Sequence, residues 1–384
     1  MGIALRGLFG RMERMSLNAR KKRAADAAKA AGVDALLVTH LPDVRWLCGF
    51  TGSSAALVLL CAAGRRARTA KRAVLFTDGR YIAQANAEAV GTEAVIATKP
   101  PLTAACEWIA SAGVKRCGFD PAQTTLAALD NMRKAVPAKL RRSLFVAVDP
   151  LVAKLRQIKD AGEIASLRAA ALLGCRLFDH ILTFIQPGMT EMAVAAELEH
   201  AARLAGAEGM SFETIIASGV RSALPHGHAT QARLPRRGFV TMDFGVLLDG
   251  YCSDMTRTIH MGRATTSERN AYDAVLDAQE SGLAAVRAGV VTGDVDEAAR
   301  SVLRRAGLAD WFTHSTGHSL GLEIHEDPRL AAKRTEKLKA GMIVTIEPGI
   351  YMPGRFGLRI EDTVLVTRSG CEILTPSPKA WIEL

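Results

Sequence analysis

The stretch Ala340–Val366, AGMIVTIEPGIYMPGRFGLRIEDTVLV, constrains this chain most, because it sets carboxylates among strand-forming apolar residues. It predicts two β-strands joined by a Pro/Gly loop, with Glu347 closing the first and Glu361 inside the second. Side chains alternate along a strand, so Arg359, Glu361 and Thr363 share one face, while Leu358, Ile360 and Val364 share the other. A charge among apolar neighbours is costly without a partner, so something positive must compensate Glu361. Arg359 offers a local answer and a metal ion a functional one.

A second stretch, Val240–Met261 (VTMDFGVLLDGYCSDMTRTIHM), reads as a β-hairpin around the type I′ turn signal Asp249-Gly250. If Leu248 pairs with Tyr251, Asp243 lies opposite Thr256 and Asp254 opposite Gly245. The two aspartates then share a face as diagonal neighbours. Such like charges repel unless a cation lies between them. Two solvent-facing aspartates are the plainer reading, but Met242, Phe244, Val246 and Leu247 argue against full exposure.

Histidines cluster in Trp311–Pro328 (WFTHSTGHSLGLEIHEDP), which holds His314, His318 and His325 beside Gly317 and Gly321. Ser222–His228 adds His226 and His228 in a turn. His40, His180, His200 and His260 read as ordinary core or surface histidines.

At 384 residues the chain predicts two domains. Strands alternating with helices from Asp34 to Val136 imply an α/β layer, preceded by a helix over Ala24–Gly32. Val44–Leu60 reads as a Gly/Ser turn entering a buried strand. Asp149-Pro150 punctuates the chain, and helical periodicity follows to about Ile185. The expected segments are a basic extension over 1–20, an N-terminal domain over 21–150 and a second domain over 151–384, with the boundary near Asp149–Lys159. The second half carries a weak repeat: Gly188, Thr190 and Gly206 are echoed by Gly289, Thr292 and Gly307, and both threonines suit helix N-caps. Such a repeat implies a pseudo-symmetric α+β domain with a cleft between its halves.

No run of about 18 apolar residues exists, so no membrane helix is expected. The basic start MGIALRGLFGRMERM has a short apolar run and no small-residue cleavage site, so the expectation is a cytoplasmic protein. Globular patterning begins near Ala24, so a start at Met12 or Met15 also fits. Net charge is +10, with eight Lys/Arg within residues 1–30 and an acid-free run at Arg65, Arg66, Arg68, Lys71 and Arg72. Without interleaved aromatics these runs read as a solvated tail and loop, and neither nucleic acid nor membrane is an expected partner. Seven scattered cysteines, none in a C-x-x-C, read as free thiols.

The series Asp243, Asp254, His318, Glu347 and Glu361 resembles, in order, spacing and context, the five metal ligands of the pita-bread metallopeptidases. The strings MDFGVLLDGYCSDMTRT, TGHSLGLEIHEDP, IEPGIY and RIEDT carry the likeness. VRWLCGFTGSSAALVL and LFTDGRY are similar to the creatinase-type N-terminal domain of the Xaa-Pro aminopeptidase and prolidase branch. Ser319 departs from the family, where glycine often follows the histidine ligand. The resemblance implies a creatinase-type α/β domain before a pita-bread catalytic domain, and a homodimer acting on proline-containing peptides. It implies two divalent metal ions. The oxygen-rich ligand set favours Mn and tolerates Co or Zn. Asp254 and Glu361 would bridge the ions, Asp243 would hold one, and His318 and Glu347 the other. Paired metals can lower the pKa of a bridging water and give the hydroxide that attacks the scissile carbonyl. By the same carry-over His226 would contact substrate or leaving group and His325 would stabilise the tetrahedral intermediate. His314 would line the proline side of the pocket, and Arg359 would orient Glu361 or contact substrate. His228 remains structural. The implied activity is hydrolysis of Xaa-Pro bonds, on longer peptides or on dipeptides alone. A metal-free amidinohydrolase of the creatinase type, or a non-catalytic binding module, are the rival readings, and the intact ligand set opposes both.

Overall fold

The strand signals of the first half converge on one mixed sheet. A computed structural model describes residues 2–61 and 72–384, with side chains from Ser16 onward. Contacts divide the chain into a unit ending at Arg156 and a unit Gln157–Leu384. In the first, β1 (Ala35–Val38), β2 (Ala55–Leu60), β3 (Ala73–Asp78), β4 (Glu93–Ala97), β5 (Cys117–Phe119) and β6 (Phe145–Ala147) lie in the order β4-β3-β2-β1-β5-β6. β1, β5 and β6 run parallel, as do β3 and β4, while β2 is antiparallel to both neighbours. Parallel neighbours need crossovers, and helices Ile82–Glu88 and Leu126–Lys134 provide them for β3 to β4 and β5 to β6.

Three expectations in this unit are corrected. The run from Val44 does not lead straight into a strand. Leu41–Cys48 is helical, started by a proline in its first turn and ended by Gly49 at φ 88°. The N-terminal helix is also far longer than Ala24–Gly32, spanning Gly2–Ala30. Leu17, Ala24 and Ala28 fall on one face of it and are buried. Arg20 and Lys21, expected in a solvated tail, are buried too. The Arg20 guanidinium lies 5.1 Å from the Trp46 ring centroid and donates to the Trp46 carbonyl at 3.2 Å. Lys21 donates to the Val90 carbonyl. Long basic side chains can lay apolar stems on a core while their heads find acceptors. Arg65, Arg66, Arg68 and Lys71 lie outside the described residues.

The second unit opens with helix Ala161–Phe184, started by a capping box between Asp160 and Glu163. Its repeat is visible in the helices: Gly188 and Gly289 each precede by three residues a helix of 14 residues, Glu191–Leu204 and Thr292–Arg305. Thr190 caps the first, accepting the Ala193 amide at 3.1 Å. Thr292 does not cap the second. It stands one residue further from its glycine than Thr190 does, so it becomes the first helical residue and Val291 takes the cap position.

Strands β7 (Gly209–Met210), β8 (Ile215–Ser218), β9 (Gly238–Phe244), β10 (Val246–Leu248), β11 (Tyr251–Cys252) and β12 (Met255–Met261) build two small sheets, β12-β9-β8 and β11-β10-β7. The hairpin takes the expected register, Leu248 opposite Tyr251 and Asp243 opposite Thr256. Asp249 and Gly250 both have positive φ, 49° and 73°, as a type I′ turn requires. The ladder breaks at Gly245, where a Cβ would lie 1.7 Å from the Ser253 carbonyl oxygen. Strands β13 (Gly317–Ser319), β14 (Glu326–Leu330), β15 (Ile343–Ile346), β16 (Gly349–Met352), β17 (Phe356–Arg359), β18 (Asp362–Val366) and β19 (Cys371–Ile373) form the sheet β14-β13-β15-β18-β19 and the ribbon β16-β17.

Ala340–Val366 is therefore four short strands, where two were expected. Pro348 cannot donate to a ladder and separates β15 from β16. At Ile360 and Glu361 the chain leaves the ribbon and enters the larger sheet. Glu361 sits in that gap, outside any strand. Phe178 and Ile181 share one core with Val240, Met242 and Phe244, and Val286 and Val295 share another with Val344, Ile346 and Val364. Each such side chain contributes roughly 1.5–3 kcal/mol by leaving water. Among the described residues no helix is long and apolar enough to cross a membrane. The seven cysteines carry free thiols.

Candidate metal centre

The hairpin register and the gap after β17 bring three carboxylates together. Asp243, Asp254 and Glu361 each offer an oxygen, and these oxygens lie within 4.8 Å of one another. All three residues are buried, with exposures of 8%, 5% and 1%. His318 joins from β13: its Nε2 is 3.5 Å from Asp254 Oδ2 and 3.5 Å from Glu347 Oε1. The five residues singled out in the sequence thus surround one place.

Neighbouring groups fix the orientation of each donor. Thr256 Oγ1 donates to Glu361 Oε2 at 2.7 Å, and Thr345 Oγ1 donates to Glu347 Oε1 at 3.1 Å. His318 Nδ1 donates to the Ser319 carbonyl at 3.1 Å, which leaves Nε2 with a free lone pair facing the carboxylates. Burial pushes the His318 imidazole down to about 4, so it is neutral at pH 7. Ser319, the departure from the family pattern, is itself buried and accepts from Lys159 Nζ at 3.2 Å. Lys159 in turn pairs with Glu326 at 3.1 Å.

Arg359 goes elsewhere than expected. Its guanidinium pairs with Asp243 Oδ2 and donates to Tyr351 and to Thr256 Oγ1, so it reaches Glu361 through the Thr256 hydroxyl rather than by a direct ion pair. Two residues apart on one strand face would have placed Arg359 beside Glu361, but the chain bends away between them. Arg359 therefore makes one direct ion pair within an array of four carboxylates. Burial and mutual repulsion raise Asp254 and Glu361 far above the usual carboxylate range, and burial pushes Glu347 up to about 7. Asp243 Oδ1 is buried with no hydrogen-bond partner. A buried orphan oxygen, repelling carboxylates and an aimed imidazole nitrogen are what hard divalent cations satisfy, and the residues present fit them.

The remaining histidines lie around this array. His314 donates from Nδ1 to the Ser315 carbonyl at 2.8 Å and accepts at Nε2 from the Tyr351 hydroxyl at 2.9 Å. Burial, with Arg359 adding to it, holds His314 down at about 4. The ring of His325 stands 4.5 Å from that of His318, edge to face. His325 and His226 are both exposed. His228 faces outward, 3.3 Å from Glu213.

Sequence reasoning missed Thr256, Thr345 and Tyr351. The hairpin register held the signal for Thr256, which was already placed opposite Asp243. Tyr351, pushed up to about 12 by burial, links His314 to Arg359 and belongs to the quoted string IEPGIY.

Residues 165–368, more than half of the chain, match Metallopeptidase family M24. The chain belongs to this family. Residues 20–158 match the Creatinase/Prolidase N-terminal domain, so this M24 metallopeptidase joins a creatinase-type domain to a pita-bread catalytic domain. It is 38% identical over 353 residues to an uncharacterized peptidase of Bacillus subtilis, covering 92% of this chain and 96% of that one. Among solved structures, the Xaa-Pro dipeptidase from Bacillus anthracis superposes with a TM-score of 0.90 at 38% identity, over 96% of this chain and 100% of that one. The X-Pro aminopeptidase from Thermotoga maritima gives 0.84 at 32% identity, over 94% and 100%.

Proposed function

We propose that this M24 chain is a dinuclear metal-dependent peptidase that cleaves the Xaa-Pro bond at the amino end of peptides. The observation that carries the reading is the array of four carboxylates, three of them buried, and one imidazole, with Arg359 ion-paired to Asp243 alone. The similar proteins named Xaa-Pro dipeptidase and X-Pro aminopeptidase support the substrate class. Asp243, Asp254, His318, Glu347 and Glu361 would hold the ions, with Mn favoured by oxygen ligation and Co or Zn tolerated. When bound, the ions would supply a Lewis acid and a hydroxide nucleophile at neutral pH.

The chain's own groups would do the rest. Arg359 holds Asp243 by Oδ2, leaving the orphan Oδ1 for the centre. Thr256 and Thr345 each fix one oxygen of Glu361 and Glu347. His325, exposed beside His318, is the donor for the developing oxyanion. His226, exposed nearby, would bind substrate and pass a proton to the departing imino nitrogen. His314 has both ring nitrogens engaged, so it would offer ring surface to a proline, flanked by Phe312 and Tyr351. Arg359 is buried against Asp243, which favours an orienting role over direct contact with substrate.

The test is hydrolysis of an Xaa-Pro dipeptide and a tripeptide with the same Xaa-Pro start, by metal-loaded and chelated protein. Metal-dependent cleavage of either supports the reading, and the preferred length separates dipeptidase from aminopeptidase. Chelated, metal-free protein with full activity overturns it. The homodimer belongs to the same proposal, and light scattering that returns only a 41.0 kDa species at micromolar concentration removes that part.

A further inference from the structure

Behind the carboxylate array lies a buried arginine that the proposed chemistry does not use. Arg257 is 2% exposed, and its guanidinium is saturated. Nη1 donates to the Thr256 carbonyl at 3.0 Å and to the Glu361 carbonyl. Nη2 donates to Asp362 Oδ1 at 2.8 Å and to the carbonyls of Thr375 and Ser377 at 3.0 and 2.9 Å. Nε donates to the Pro378 carbonyl at 3.1 Å. One rigid fork thus grips three pieces of chain: β12, the gap holding Glu361, and the segment after β19.

The two carbonyls on Nη1 are the telling ones. Thr256 and Glu361 already face each other: Glu361 N donates to the Thr256 carbonyl at 3.1 Å, and Thr256 Oγ1 donates to Glu361 Oε2 at 2.7 Å. Glu361 lies outside any strand, so beyond that amide bond no ladder fixes its backbone, and its carbonyl is left to other donors. Arg257 does so from the rear and ties that fixation to residues 375–378, which contribute none of the five donors.

We propose that Arg257 is a positioning residue for the metal centre, holding Glu361 at its working place by clamping the segment 375–378 to it. This rests on the metal-binding reading above. A lysine at 257 would keep the charge beside Asp362 but lose the planar fork that reaches several carbonyls at once. Groups that orient metal ligands typically change metal affinity by about 10–100-fold when altered.

The experiment is calorimetric titration of chelated protein with Mn²⁺, for wild type, Arg257→Lys and Lys379→Met. Lys379 also pairs with Asp362, at 2.7 Å, but makes no contact with Glu361 or Thr256 among its hydrogen bonds, so its variant loosens the same buried cluster without touching the clamp. The expected result is a Kd for Mn²⁺ raised about 10–100-fold in Arg257→Lys and unchanged in Lys379→Met, with both melting temperatures lowered. Equal weakening in both variants, or none in a folded Arg257→Lys, overturns the proposal. Wild type that takes up no Mn²⁺ overturns the metal-binding reading itself. If Arg257→Lys does not fold, hydrogen exchange of wild type decides. Mn²⁺ loading is expected to slow the amides of Thr375, Ser377 and Lys379, and unchanged rates there overturn the coupling.

Discussion

Glu361 and Asp362 are neighbours in sequence and equally buried, at 1% and 0% exposure, yet the fold treats their charges in opposite ways. Asp362 points to the side where Arg257 and Lys379 meet it at 2.8 and 2.7 Å, with Gln279 and Thr375 adding bonds at 3.0 and 3.1 Å. Burial alone would raise its carboxyl, but the two cations hold it below the usual range. Glu361 points to the other side, where its partner is a threonine hydroxyl and its neighbours are other carboxylates. A direct cation partner marks a structural carboxylate; an equally buried neighbour that has none among the described residues is one waiting for a cation from solution.

Mutations can break this contrast. Glu361→Gln in metal-loaded protein is expected to lower metal content and hydrolysis together, activity by at least about 10³-fold, because a bound metal supplies several kcal/mol at the transition state. Elemental analysis beside a rate measurement checks it, and full metal with lost activity would contradict a ligand role. In metal-free protein the sign reverses. Glu361→Gln is expected to leave the melting temperature unchanged or raise it. Asp362→Asn should cost about 3–5 kcal/mol, since it strips the partner charge from the buried Arg257 and the half-buried Lys379. Denaturant unfolding of both variants decides, and equal destabilisation would erase the distinction.

His325→Ala sharpens the comparison from outside, since it leaves every carboxylate in place. Metal content is expected to persist while kcat on an Xaa-Pro substrate falls about 10²–10³-fold, roughly 3–4 kcal/mol. Near-wild-type kcat would return His325 to a structural part.

The smallest effect is a pH trend. Burial pushes Glu347 up to about 7 from a usual value near 4.5. A carboxyl raised in the folded state binds protons there that the unfolded chain has released. Metal-free protein should therefore lose stability as pH rises from about 4.5 through about 7. Loaded protein should not follow that course, and uptake of metal at pH 6 should release protons into a weakly buffered solution. Melting curves that rise with pH in the chelated protein would contradict the sign.

How much was legible follows from the range of each cause. The pairing of Asp243 with Thr256 was readable because an Asp-Gly turn fixes register from four residues. The meeting of His318 and Glu347 with the hairpin was reached through family likeness, since no local rule brings β13 to β12. Alternation does not show that Arg359 pairs directly with Asp243 and reaches Glu361 only through Thr256, because it ranks faces only while a strand continues, and the strand ends at Arg359. At Arg20 and Lys21 composition sees the head group and not the ring or carbonyl that receives it, so their burial does not show in the sequence.

The tight turn at Asp249-Gly250 also limits how this chain can vary. Asp243 and Asp254 stand eleven positions apart, and the two-residue turn between them admits no slack. One inserted residue would shift the pairing by a step and send one aspartate to the opposite face of the sheet. A scan of single-residue insertions along the chain should find this hairpin tip intolerant of them, although Asp249 is exposed and exposed loop tips usually accept insertions.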